Sequence, residues 1–351
     1  ANGNTYPGGF TLNAGTMIVG GVNAMGGGGA LNINGGIIAA SNTRTIPAAK
    51  YSGINIGGNF TFGATSYISN ISFADNVALG TSVRTVDLAG TAGTSTYTFS
   101  GVMSGSGGGI NVGANSGNGI LVLSGNNTYT GATTVSGGEL RLNPSANMSL
   151  SGACTFNGGT LATTGIAATR TITFGSINIS NNSTLQLLAS TNHTITFTSL
   201  GSFSSGKLTI KGWTGNYIIG TTGAVTNAGK VFIGNSASLT EAQLAQIQFN
   251  DGTNNYAARQ LSTGEIVPAA KLIISTISNQ IEGVGFSVTV TAKDLDGNNR
   301  NLTNATGITL TSTTNIIGGT TTGTIAASGN TVTISGVTLN AGNNATITAS
   351  R

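Results

Sequence analysis

The stretch GNNTYTGATTVSGGELRLN, Gly125 to Asn143, echoes GNTYPGGFTLNAGTMIVGG, Gly3 to Gly21. Asn4-Thr5-Tyr6 falls opposite Asn127-Thr128-Tyr129, Gly8 opposite Gly131 and Gly15 opposite Gly138, at a constant offset of 123. The echo continues as LNINGGIIA, Leu31 to Ala39, against CTFNGGTLA, Cys154 to Ala162. Within each copy a shorter step runs: Leu12 to Ile33 and Met17 to Ile38 are 21 apart, as are Val135 to Phe156 and Leu140 to Leu161. Leu185 and Leu208 extend the series with steps of 24 and 23. A unit of this length cannot bury its own apolar face, and stacking many of them creates a continuous core.

Inside the units apolar residues alternate, as in Leu140 and Leu142 or Leu208 and Ile210, which is the period of a strand. Gly pairs and Asn-Gly steps provide the positive φ that tight corners need. The unit is too short for strand, helix and two loops. The expected class is therefore all-β, with a right-handed parallel β-helix of two or three short strands per turn. Composition agrees: only 6% of the 351 residues are charged, against about 25% in an ordinary domain, and 56 are Gly. Stacked identical corners place like residues above one another, where Asn and Thr bond from turn to turn but like charges repel. A disordered polar tract is excluded by the 38% hydrophobic content at regular inward positions.

The β-helix is expected over residues 1–270, closed by a carboxy-terminal cap around 236–268. In SASLTEAQLAQIQFNDG, Ser238 and Glu241 read as a capping box, with Leu244 and Ile247 on one face. A strand–turn–strand, YAARQLSTGEIVP, then stops at Pro268. From Lys271 the texture changes to alternating strands about ten residues apart, which predicts an immunoglobulin-like β-sandwich over 271–351. The Cys–Trp–Cys hallmark of antibody domains is absent, so that reading rests on pattern alone. Because the sequence opens inside a repeat motif, we expect a piece of a longer chain, and no run is apolar enough for membrane insertion.

The stretch LSGNNTYTGATTVSGGELRLN, preceded by FSGVMSGSGG, resembles the autotransporter-associated β-strand repeat of bacterial surface proteins over about 95–165, and again over 2–40. GKLTIKGWTGN, LTEAQLAQIQFNDG and STGEIVP are similar to the closing segment of such regions in large exported proteins of Bacteroidota. SVTVTAKDLDGNNRNLT and GTIAASGNTVTISGVTLNAGNNATITA resemble the tandem immunoglobulin-like modules of the same giant adhesins. The resemblance implies a secreted, extracellular segment of a cell-surface adhesin, of the gliding-motility type exported by type IX secretion. No translocator barrel or sorting domain stands in the sequence, so the export route is inferred.

Candidate chemistry is sparse. Thirteen basic residues against nine acids give a net charge of +4, scattered rather than gathered into the footprint nucleic acid requires. The single histidine, His193, shares the parity of Ile195 and Phe197 and has no second His or free ligand set for zinc. Cys154, the lone cysteine, falls opposite Leu31 and reads as a small core residue. A β-helical polysaccharide-cleaving enzyme is the rival reading, and it needs two convergent carboxylates. The acids before residue 270 are Asp75, Asp87, Glu139, Glu241, Asp251 and Glu265. Asp75 and Asp87 are the pair able to share a face; Asp251 and Glu265 are placed at turns.

The turn DLDGNN faintly resembles a calcium loop through Asp294 and Asp296, but Ala305 stands where the loop needs Glu, and a hairpin turn is the better reading. Asn-x-Ser/Thr sites at Asn59, Asn70 and Asn304 follow from composition. Tyr6, Tyr129 and Trp213 could offer stacking surface to sugars, although the two tyrosines recur at matching places and read more simply as corner packing. The expectation is a non-enzymatic segment with no catalytic residues, metal or cofactor. It acts as a stiff stalk that displays adhesive surface. Its partners are a surface polysaccharide or another cell-surface or abiotic target, and neighbouring domains of the same chain; a carbohydrate-binding or carbohydrate-cleaving domain is the alternative.

Overall fold

The computed structural model describes residues 7–90, 94–113, 118–215, 229–293, 297–302, 305–313, 317–340 and 345–350. Nearly every element is a strand, and the helix among them, Glu241–Leu244, is a single turn. The chain divides into two compact units. One holds the described residues up to 214, with 229–247 and 260–266; the other holds 215, 248–259 and the residues from 267 onward.

The first unit is a β-solenoid whose strands stack in parallel on three faces. On the first face Phe10–Leu12, Leu31–Ile33, Ile54–Ile56, Val77–Ala78 and Met103–Ser104 pair in succession. The stack continues through residues 127–130, Met148–Ser149, the start of Arg170–Ile179, the start of His193–Phe203 and Gly229–Ile233. The second face runs from Thr16–Val19 through Ile37–Ala40, Phe60–Phe62, Val83–Leu88, Gly109–Val112, Thr133–Val135 and Cys154–Phe156 to the ends of Arg170–Ile179 and His193–Phe203. The third runs from Arg44–Ile46 through Ile71–Phe73, Thr96–Phe99, Ile120–Leu123, Glu139–Leu142, Thr160–Ala162 and Ser183–Gln186 to Leu208–Lys211. Period-two alternation turns one set of side chains inward on every face. Leu31, Ile33, Phe62, Leu140 and Phe156 are among the inward residues closed off from solvent, each contributing about 1.5–3 kcal/mol by its burial. Aromatic rings stack along the core, Phe73 on Phe99 at 5.8 Å and Phe174 on Phe197 at 5.7 Å.

The 21-residue step is the solenoid turn itself. Leu12 is the direct partner of Ile33, Met17 of Ile38, Val135 of Phe156 and Leu140 of Leu161. The series breaks at Leu208, which sits over Ser183; the partner of Leu185 is Ile210. Turn length varies, from 19 residues between the partners Ile120 and Glu139 to 36 between His193 and Gly229. This variability displaces the long echo. Phe10–Leu12 is on the first face, but its counterpart Thr133–Val135 is on the second. Thr16–Val19 is on the second, and its counterpart Glu139–Leu142 is on the third.

The Gly35-Gly36 pair shows what corner glycines do. Gly36 has φ 80°, which an L side chain rarely adopts. A Cβ on its neighbour Gly35 would lie 2.4 Å from the Asn13 carbonyl oxygen of the adjacent turn. Gly36 both bends the chain and approaches the adjacent turn, a Cβ there lying 2.6 Å from the Gly15 carbonyl oxygen, while Gly35 serves the approach alone.

At the far end, Val231 and Phe232 pair with Ile266 and Glu265 antiparallel, so the parallel stack is not extended on that face. The helix cap differs from the expected box. Thr240 is the N-cap, with its hydroxyl accepting from the Gln243 amide and the Gln243 side chain accepting from the Thr240 amide at 2.9 Å. Ser238 and Leu239 instead donate their amides to the Gln260 side-chain oxygen at 2.8 and 2.9 Å. Ile247 is not on the helix at all but opens the strand Ile247–Asn250, and the strand Glu265–Ala269 passes through Pro268 rather than stopping there.

In the second unit, Gln248, Phe249 and Asn250 form an antiparallel hairpin with Asn255, Tyr256 and Ala257. Beyond it lie a four-stranded and a three-stranded antiparallel sheet. They share an apolar core that includes Val288, Val290, Leu302, Ile308, Leu310, Ile325 and Ile334.

Candidate functional site

Several carboxylates of residues 1–270 have a structural setting that accounts for them. Asp75, 8% exposed, lies at the corner entering the first face. Its carboxylate accepts the amides of Ala49 at 2.6 Å and Tyr51 at 2.8 Å. Ala49 has φ 58°, so the acid pins a loop held in the left-handed region. Asp87 faces outward from the second face, between the buried Val86 and Leu88 and in register with Thr61. The pair that could have formed a catalytic dyad is thus placed at a corner and on a face, with Asp75 engaged by backbone.

Glu139 also faces outward and pairs along its own strand with Arg141, both Nε and Nη2 lying 2.7 Å from Oε1. Half-exposed pairs of this kind are worth about 0–1 kcal/mol. Glu241 occupies the first helical turn, where a carboxylate suits the helix dipole. Glu265, placed at a turn by the sequence pattern, is buried at the start of a strand.

Asp251 does sit in a hairpin turn. Burial works against its charge, but it accepts the Tyr256 hydroxyl at 2.6 Å and the amides of Asn254 and Thr253 at 2.7 and 2.8 Å. These bonds outweigh burial and hold the carboxyl down at about 2. Burial and the adjoining carboxylate raise the Tyr256 hydroxyl to about 12, and Arg300 lies over its ring at 5.7 Å.

His193 is buried in the core, with the inward parity of Ile195 and Phe197. Its Nδ1 lies 2.9 Å from the Thr191 carbonyl and its Nε2 2.8 Å from the Thr163 hydroxyl. Cys154 is inward between its partners Thr133 and Ile177, and burial pushes its thiol well above the usual range; a thiol held protonated is a poor nucleophile. Tyr129 and Trp213 are buried as well, and Tyr129 bonds Thr133 at 2.7 Å, so neither offers a stacking platform. Tyr6, Asn304, Asp294 and Asp296 lie outside the described residues. Among the described residues no group of three or more His, Cys, Asp or Glu could hold a metal.

Uncharged ladders run along the surface. On the first face Asn55 donates to Asn32 at 2.8 Å and Asn32 to Thr11 at 3.2 Å. At the corner leaving the second face, Asn181 donates to Asn157, Asn157 to Ser136 and Ser136 to Asn111, at 3.0, 3.2 and 2.8 Å. Thr85, Asn111, Thr134, Thr155 and Asn178 stand in register across five successive strands of the second face.

A second use of Asn was not foreseen. Its side-chain oxygen repeatedly accepts a backbone amide of an adjacent turn. Asn59 accepts from Thr85, Asn70 from Thr96, Asn76 from Val102, Asn147 from Thr171 and Asn182 from Lys207, all at 2.8–2.9 Å. The amide side chain substitutes for a missing peptide carbonyl at corners where the ladder is interrupted. Asn59 and Asn70 are therefore lattice members in this fold. Recurrence of Asn just before a strand was the available signal.

Among the described residues no helix is long and apolar enough to cross a membrane. The pattern of the passenger-associated-transport-repeat family matches residues 1–19 and 116–142, the two copies of the echo. No curated protein and no solved structure matches the chain. The matched family and the observed solenoid together make this a β-repeat region similar to the passenger regions of autotransported proteins.

Proposed function

We propose that the chain is a non-enzymatic structural and adhesive segment of a large secreted bacterial surface protein. Its β-solenoid, taken as right-handed, serves as a stiff stalk over residues 1–270. The two antiparallel sheets of 271–351 form an immunoglobulin-like sandwich module of the kind repeated in giant adhesins. On this reading the protein is extracellular and surface-attached, and it is related to the gliding-motility adhesins that Bacteroidota export by type IX secretion. Neighbouring domains of the same chain continue it, and the target is a surface polysaccharide or another cell-surface or abiotic material.

The observation that carries the reading is the set of uncharged ladders, Asn111–Ser136–Asn157–Asn181 foremost. They place the same small hydrogen-bonding groups on turn after turn, while Asp75 serves a loop, Glu241 a helix start and Glu139 a surface ion pair. Repetition of weak, equivalent contacts suits attachment through many sites at once.

The test is to pass the purified chain over a panel of insoluble and immobilised polysaccharides, measuring retention and release of reducing ends. Retention without cleavage is the expected result and locates adhesion in this segment. Cleavage lost in Asp75→Ala or Asp87→Ala would establish the rival, a polysaccharide-cleaving β-helix. Neither retention nor cleavage would leave a spacer and remove the adhesive part of the proposal.

A further inference from the structure

The imidazole of His193 ties consecutive turns of the solenoid together. A carbonyl can only accept, so Nδ1, 2.9 Å from the Thr191 oxygen, carries the ring proton. Nε2 is then a bare acceptor, and the Thr163 hydroxyl at 2.8 Å donates to it. That hydroxyl also accepts the Leu188 amide at 3.1 Å, while the Thr163 amide donates to the Gln186 carbonyl at 2.9 Å. Thr163 follows the third-face strand Thr160–Ala162, and Leu188 follows Ser183–Gln186 on the next turn. His193 opens the first-face strand of the turn after that, and its register partner on the following turn is Gly229. A Cβ on Gly229 would lie 2.8 Å from both Cε1 and Nε2, so the ring occupies the space that the glycine leaves.

The environment suits only the neutral ring. His193 is 2% exposed and Thr163 is fully buried. The charged residues on the strands packed around it are all basic: Arg170 in register on the preceding turn, Lys230 beside Gly229, and Lys211 at the end of Leu208–Lys211. Thr160–Ala162 and Ser183–Gln186 bring no charge. Protonation would turn Nε2 into a donor facing the Thr163 hydroxyl, whose hydrogen would have to swing to the more distant Gln186 carbonyl at 3.3 Å. It would also place a cation in the core where the described residues of the surrounding strands bring no carboxylate to it.

We propose that His193 is an acid-operated pin: uncharged it locks the last turns of the solenoid together, and proton uptake releases them. Burial outweighs the opposing effect of the Thr191 carbonyl bond and holds the ring below its ordinary 6.5. Between the folded and unfolded values the opened chain binds a proton that the closed one does not. The lock is thus intact above about 6.5 and weakens as pH falls through and below it. Over that window the opening constant rises by up to about tenfold per pH unit.

The chain has one histidine, so a long-range proton–nitrogen spectrum of the imidazole reads its tautomer and titration without assignment. It is recorded alongside amide exchange, corrected for intrinsic rates, from pH 7.5 to 4.5. The expected result is a neutral Nδ1–H ring above 6.5. On acidification, ring protonation coincides with loss of protection in residues 160–166, 186–196 and 229–233, while Leu31–Ile33 and Ile54–Ile56 keep theirs. His193→Gln, which hydrogen-bonds but does not titrate, should abolish the pH dependence of that local opening. Should this variant fail to fold, Thr163→Val decides instead: Nε2 loses its donor, and opening should move to higher pH, whereas Thr163→Ser should leave it in place. Protonation without local opening, or opening at the same pH in either His193→Gln or Thr163→Val, would overturn the proposal.

Discussion

Individual residues in this fold are defined by the turn before and the turn after. Asp75 illustrates the point, since its two amide partners belong to the loop of the adjacent turn. Asp75→Asn keeps the shape but removes the charge and one acceptor oxygen. Bonds to charged groups contribute about 1.5–3 kcal/mol, and one of the two amides, Ala49 or Tyr51, would lose its acceptor in the loop that holds Ala49 at positive φ. The expected outcome is a drop of about 1.5–3 kcal/mol in chemical denaturation, a loss no catalytic role would require. Much at this scale was legible. The parity of His193 with Ile195 and Phe197 predicted burial, and Cys154 opposite Leu31 predicted a core position. The bonds that Asn59, Asn70 and Asn76 accept from adjacent-turn amides were only hinted at by Asn recurring before strands, because their partners depend on register, which alternation alone does not fix. Nor was the burial of Glu265, which requires knowing which strand its own pairs with.

At the scale of elements, the strands were readable from period-two alternation and the 21-residue step, and the capping helix was located but misframed. Ser238 and Glu241 fit a capping box by spacing, as do Thr240 and Gln243, and spacing cannot choose between them. The structure selects Thr240 because it has the extended backbone of an N-cap, φ −70° and ψ 161°, while the amide of Ser238 is taken by Gln260. Thr240→Ala should therefore lower stability by about 0.5–2 kcal/mol, and Ser238→Ala should leave it nearly unchanged. Paired thermal melts of the two variants check the assignment directly. The step from Leu185 to Leu208 failed for a related reason: Ile210 is equally apolar, and only the pairing of Ser183 with Leu208 reveals the extra residues in that turn.

For the whole molecule, a solenoid is close to a one-dimensional stack in which each turn is stabilised by its neighbours. A cavity should therefore act locally before it acts globally. Phe73 stacks on Phe99 and lies near Phe62, with ring centres 5.8 and 6.3 Å away. Phe73→Ala is expected to cost about 3–5 kcal/mol. Amide exchange should lose protection first in Ile46, Phe62 and Phe99, while Ile172 and Ile195 retain theirs. Uniform loss across the solenoid would mean that it unfolds as one cooperative block.

The displacement of the 123-residue echo has a consequence for how such chains can grow. A motif that works at the corner between the first and second faces, and again between the second and third, is not tied to one side of the stack. Duplicating it need not add whole turns. A copy that arrives with a few residues more or fewer can settle one side further round and still bury its apolar set. Insertions would then set the compass bearing of everything the stack presents, as well as its height. A lineage lengthening this region could point the same patch of Asn and Thr in new directions without inventing a new sequence for it.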